Sequence, residues 1–167
     1  MNFKITRATG LLLATLALTT PVFGHGVTAG AIEIIHPNIP QPAEKAMAGA
    51  AYMGISNDGD TADRLIGVEI AIAAQATIHQ TLVTAEGVAS MTPMAAIDLP
   101  AHDTVVLEPG GFHIMLMGLK APLVEGQMVP ATLIFEHAGR VEMEFMVDPP
   151  GGMDHSTMDH GAPAASE

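Results

Sequence analysis

Between residues 31 and 148 the chain never holds a helical period. Its apolar residues come in short runs that alternate with polar ones, and turn residues interrupt them at short intervals. The run RVEMEFMV is the clearest. Glu142 and Glu144 point one way, while Val141, Met143, Phe145 and Val147 point the other, which is the pattern of a half-buried strand. AIEIIHP alternates and ends at a proline. GAAYMGISNDGD is a strand running into an Asn-Asp-Gly turn, DRLIGVEIAIA and QATIHQTLV follow, and TAEGVASM holds a turn at Glu86-Gly87. Two pairs of runs read as hairpins. DTVVLEPGGFHIMLMGL is joined at Glu108-Pro109-Gly110-Gly111, and MVPATLIFEHAGRVEMEFMV at Ala138-Gly139. With no amphipathic helix and roughly six to nine strands, this pattern predicts an all-β fold, an antiparallel β-sandwich or barrel.

The first residues stand apart from that pattern. MNFKITRATG carries Lys4 and Arg7, then come the apolar run LLLATLAL and the small-residue stretch TTPVFG. This is the layout of a secretory signal peptide over residues 1–24, with cleavage expected after Gly24. The apolar run is too short to span a bilayer, so no membrane insertion is expected once the leader is removed. The chain carries a formal charge of −12. Loss of Lys4 and Arg7 takes it to −14. Such a polyanion is a poor ligand for nucleic acid.

There are 12 methionines and no cysteine. Disulfides, thiolate metal sites, cysteine nucleophiles and a blue-copper centre are therefore excluded. Thioether sulfur binds few biological metals besides Cu(I). GGFHIMLMGLK sets His113, Met115 and Met117 at every second position. On a strand these share one face, roughly 6.6 Å apart at successive positions. Either they converge on a soft ion or every second position simply faces the core. His79 in ATIHQTL and Met91 in GVASMTPM supply further donors of the same two kinds.

The spacing of four of these residues resembles the signature of the periplasmic copper chaperones of the PCu(A)C type, H-(M)-x10-M-x21-H-x-M. His79 is followed by Gln80 in the optional methionine slot, Met91 comes after ten residues, and His113-x-Met115 after twenty-one more. LEPGGFHIMLMGLK, EGQMVPATLIFEHAG and IEIIHP also look like the family, and the resemblance covers roughly residues 31–148. It implies a cupredoxin-like β-sandwich domain over residues 25–148. It also implies a Cu(I) site built from His79, Met91, His113 and Met115, and delivery of copper in the periplasm to a cytochrome oxidase copper-site subunit or another periplasmic copper carrier. Two departures stand out. Gln80 forgoes a fifth sulfur contact, and Asn38 follows His36-Pro37 where many members carry an aromatic.

The donor chemistry agrees with that implication. Two imidazoles and two thioethers make a neutral, soft site that suits d¹⁰ Cu(I), whereas Zn²⁺ gains little from thioether. Met117 reads as packing beside the site, and Met94 is ambiguous. Met47, Met53, Met128, Met143 and Met146 read as core or surface filler, and His36, His102 and His137 as structural or exposed. Residues 149–167 lose the apolar alternation and read as a mobile tail. The near-repeat MDHSTMDH offers Met153, His155, Met158 and His160 as a second copper site. After cleavage at Gly24, the α-amine and imidazole of His25 would chelate Cu(II). The expected protein is a monomeric carrier and not an enzyme, with no nucleophile motif such as G-x-S-x-G. The rival readings are a copper-storing or resistance protein and a structural β-sandwich without metal transfer.

Overall fold

The alternation is realised as a single curled sheet. A computed structural model describes residues 26–84 and 87–150. The described strands are β1 (Gly26–Ala29), β2 (Ile32–Pro40), β3 (Ala48–Asn57), β4 (Asp63–Ile70), β5 (Ala73–Val83) and β6 (Ala89–Pro93), then β7 (Ile97–Leu99), β8 (Asp103–Leu107), β9 (Phe112–Leu119), β10 (Met128–Phe135) and β11 (Arg140–Asp148). These 11 strands exceed the expected number because β1, β6 and β7 have only 4, 5 and 3 residues, too few to show a period. The order across the sheet is β6-β5-β9-β8-β3-β2-β11-β10-β4-β7, with β1 paired to β2. No helix occurs among the described residues. The expected leader, His25, and the tail residues Met153, His155, Met158 and His160 lie outside them.

The sheet closes over an apolar interior. Ile34, Ile55, Leu116, Leu133, Phe135 and Phe145 are buried there, drawn from strands on both sides of the curl. Strand β11 buries Val141, Met143, Phe145 and Val147 and exposes Glu142 and Glu144, as its alternation predicts. The Ala138-Gly139 hairpin also forms. Phe135 N–H donates to the Gly139 carbonyl at 2.7 Å, and Gly139 takes φ 76°.

The hairpin expected at Glu108-Pro109-Gly110-Gly111 does not form. Both β8 and β9 run antiparallel to β3, β8 along Met53–Asn57 and β9 along Ala48–Ala51. Their own single pairing, Leu107 with Phe112, is parallel. The four residues fold into a closed loop and return the chain to its original direction. Glu108 N–H donates to the Phe112 carbonyl at 2.8 Å, Gly111 N–H donates to the Glu108 carbonyl at 3.0 Å, and Gly110 holds φ 85°. Glycine supplies the left-handed backbone that either outcome requires, so turn chemistry alone did not distinguish them. The open edge of β3, long enough to pair with both runs in succession, did.

A second irregularity lies in β2. Ile32 and Ile34 are buried, and then Pro37 and Ile39, so the inward phase shifts by one residue. The shift falls at His36, which has φ 51°, and the register with β3 slips between Ile35 and Asn38. A bulge of this kind bends the strand. Beyond it β2 pairs in parallel with β11, Asn38 to Met146 and Pro40 to Asp148, so the sheet is not wholly antiparallel. Pro37 falls in the unpaired stretch, where its missing N–H costs no ladder bond, and the strand continues past it.

Asp63, at the start of β4, ties that strand to the β10–β11 turn beside it. Its Oδ1 accepts from Arg64 N–H at 2.7 Å and His137 N–H at 2.9 Å, and its Oδ2 accepts from Ala138 N–H at 2.9 Å. Burial alone would raise this carboxyl. The three backbone donors outweigh it and hold the group below its ordinary range.

Candidate metal centre

The row His113, Met115, Met117 does not face the core. Ile114 and Leu116, the residues between them, are fully buried in the interior. The His–Met row therefore lies on the outer face of β9, and the core-filler alternative for it fails. Strand β5 has the same polarity: Ile78 is buried inward and His79 is outward. The register then aligns the donors. His79 on β5 stands directly opposite His113 on β9, and Thr77 stands opposite Met115. On the other side of β5, His79 is opposite Pro93 and Thr81 is opposite Met91. Residues two apart on a strand share a face. So His79, Met91, His113 and Met115 all occupy one face of the adjacent strands β6, β5 and β9.

The two imidazoles lie 5.8 Å apart, centroid to centroid, with their planes 44° apart. A ring bound at about 2.0–2.1 Å has its centre roughly 3.2 Å from the metal, so two rings on one ion stand about 5–6 Å apart. The pair meets that condition. Met91 is 60% exposed at the edge strand, Met115 is half-buried, and His113 is buried. The donors thus run from a covered imidazole to a thioether open to solvent.

Hydrogen bonds orient both rings. His113 Nδ1 is 3.3 Å from the Gly111 carbonyl. A carbonyl only accepts, so the proton belongs on Nδ1 and the lone pair on Nε2. The closed loop that replaces the expected hairpin is what delivers this carbonyl. It is held in turn by Thr81 N–H, which donates to the same oxygen at 3.0 Å. His79 Nε2 lies 3.0 Å from Thr77 Oγ1. Its Nδ1 is buried and has no hydrogen-bond partner among the described residues. A buried ring nitrogen left unpaired is costly. A metal ion there would remove that cost while Nε2–H donates to the threonine.

The sequence reading missed three supporting residues: Thr77, Gly111 and Tyr52. Tyr52 sits on β3 beside β9, its ring centroid 6.5 Å from that of His113, and burial raises its phenol. It is the one tyrosine of the chain, the only hint that the sequence offered. Gln80 pairs with Phe112 and Thr92 and projects to the opposite face from His79. Met117 shares the donor face one step further along, opposite Gln75, and is 46% exposed. Met94 packs against the interior. Of the other histidines, His102 is exposed and bonded to Asp60 at 3.0 Å, His137 serves Asp63 through its backbone, and His36 marks the bulge in β2. Among the described residues no three His, Asp or Glu side chains gather to hold a metal, so the candidate centre depends on sulfur.

Comparison with known proteins places the chain. The profile of a family described as putative lipoprotein LpqE-like matches residues 32–147. The chain belongs to the LpqE-like family. A putative lipoprotein of Leifsonia xyli subsp. xyli is 40% identical to this family member over 87 residues, 52% of each chain. The match thus spans about half the length of that relative. Among solved structures, the copper-bound PCuAC domain from PmoF2 is 31% identical with a TM-score of 0.66, covering 76% of this chain and 100% of that domain. The solution structure of the Cu(I) form of DR1885 from Deinococcus radiodurans is 26% identical with a TM-score of 0.53, covering 74% and 80%. The LpqE-like chain thus has the PCuAC fold, and the cupredoxin-like architecture expected from its sequence is the one it adopts.

Proposed function

We propose that this LpqE-like protein is a copper carrier. It binds one Cu(I) through His79, Met91, His113 and Met115, and passes it to a cytochrome oxidase copper-site subunit or another periplasmic copper carrier. The observation that carries the reading is the direct opposition of His79 and His113 on one face, with a thioether on either side. The named likenesses, one copper-bound and one in the Cu(I) form, support the choice of cargo. Copper is substrate here, not a resident cofactor, and no reaction is catalysed.

The donor set explains both binding and release. Neutral imidazole and thioether donors hold a monovalent soft ion without the electrostatic depth of a thiolate site. Copper would bind Nε2 of His113, since Nδ1 carries the proton facing Gly111, and Nδ1 of His79, with Nε2–H turned to Thr77. Tyr52 shields the His113 side from water. Met91, on the exposed edge strand, is the first donor that an incoming acceptor can displace. Ligand exchange can then proceed from the edge inward, one donor at a time. The leader supports export to the periplasm, where the carrier acts as a monomer, and Met153, His155, Met158 and His160 offer an accessory capture site for copper.

The test is X-ray absorption on the Cu(I)-loaded protein. Two nitrogen and two sulfur neighbours are expected, and His113→Ala should remove one nitrogen. A spectrum with no sulfur neighbour would end the proposal.

A further inference from the structure

A second soft-donor site lies on the outer face of the far half of the sheet. Met128 on β10 and Met146 on β11 are directly opposed across their strands. Their neighbours Val129, Phe145 and Val147 point into the core, so both thioethers face outward. Met128 is 46% exposed, and Met146 is half-buried. Both line an open groove of about 1020 Å³, with His36 from β2 and Glu144 from β11 on its walls.

Four observations make this more than filler. Met143, on the same strand as Met146, is the methionine that fills the core, and it is almost fully buried. Met128, nearly half exposed, gains little by packing, so its type needs another reason. Directly opposed residues have Cβ atoms about 4.5–5.5 Å apart, close enough for two flexible thioethers to share one ion. The bulge at His36 turns an imidazole-bearing residue into the wall of the same groove. Glu144 lies two residues before Met146 on the exposed face, where its carboxylate offsets the charge of a bound cation.

We infer that Met128, Met146 and His36 form a second binding site for a soft monovalent cation, of the Cu(I) or Ag(I) class. Two thioethers with an imidazole exclude the hard divalent ions and favour soft ones. The site is distinct from the first centre. Along the sheet, Met146 pairs with Asn38, Asn38 pairs with Tyr52, and Tyr52 stands beside His113. At about 4.8 Å per strand, His36 on β2 stands two spacings from His113 on β9, and Met146 on β11 three, roughly 10 and 14 Å, too far for one ion to serve both sets. The inference stands on the groove alone and survives if the first assignment fails.

Ag(I), a redox-inert probe, should be titrated into the full chain carrying ¹³C-methyl methionine, with the signals assigned by Met128→Leu and Met146→Leu. The Met128 and Met146 methyls should shift together, and the shift should persist in a His79→Ala/His113→Ala variant. Met128→Leu should abolish the Met146 shift, and Zn²⁺ should move neither signal. Methyls that stay fixed in excess Ag(I), a Met146 shift that survives Met128→Leu, or an equal response to Zn²⁺ would each overturn the site.

Discussion

The two faces of the β5–β9 ribbon are built from alternating residues of the same segments, yet they answer to different physics. The inner face, Ile78, Ile114 and Leu116, is defined by exclusion of water. Any apolar group of the right volume would serve there. The outer face, His79, His113 and Met115, is defined by which atoms stand opposite one another. There a change at the mostly exposed Met91 would remove a candidate donor while leaving almost all of the buried area intact. Such a division would let a chain carry an exchangeable metal site on one face while the other holds the fold.

Leu116→Ala attacks the inner face. It should cost about 2–5 kcal/mol, read as a fall in the urea midpoint, because a fully buried side chain leaves a cavity. Met91→Ala attacks the outer face and should do the reverse. Copper(I) affinity, measured by competition with a chromogenic chelator, should fall on the order of a hundredfold. Stability should stay within about 0.5 kcal/mol, since the residue is mostly exposed. If both properties fell together in either variant, the separation of the two faces would be lost.

Thr77→Val sharpens the same contrast. It keeps the shape of the side chain and removes the oxygen that orients His79. A loss of about 10–100-fold in Cu(I) affinity is expected, with wild-type far-ultraviolet circular dichroism. Asp63→Asn takes the test to the other end of the sheet, where a polar group is structural. It should cost about 1–3 kcal/mol at neutral pH and leave copper binding unchanged. The folded carboxyl is held below its ordinary value. Its contribution is therefore complete above the unfolded carboxylate range and is lost as the pH falls through the folded value. The gap between wild type and variant in urea unfolding should close on acidification. Met117→Leu is the smallest change. It leaves affinity and stability as they were, because Met117 shares the donor face but stands one step beyond the donor pairs. A marked loss of affinity would bring Met117 into the site.

The sequence showed some of this directly and concealed the rest for identifiable reasons. The alternation of β11 and the Ala138-Gly139 hairpin were legible because both depend on near neighbours. The Glu108–Gly111 segment was not. A glycine-rich turn reads the same whether the next run pairs with the previous one or continues along β3, and only the pairing with β3 decides. Thr77 and the Gly111 carbonyl were also out of reach, because their roles depend on which ring atom they face. The His36 bulge left only an ambiguous trace, the adjacent Ile34-Ile35 that breaks the alternation, because a doublet of apolar residues does not say which one turns outward.

By itself the sequence determined the two-residue period, the all-β class, and the chemical identity and spacing of the four candidate donors. Only the tertiary structure decided which of the two alternating sets of side chains is covered. A period of two separates a strand into two faces but carries no information about which face the rest of the chain will bury. That choice belongs to the other strands of the curled sheet, which close over Ile114 and Leu116 and leave His79, Met91, His113 and Met115 together on the opposite side.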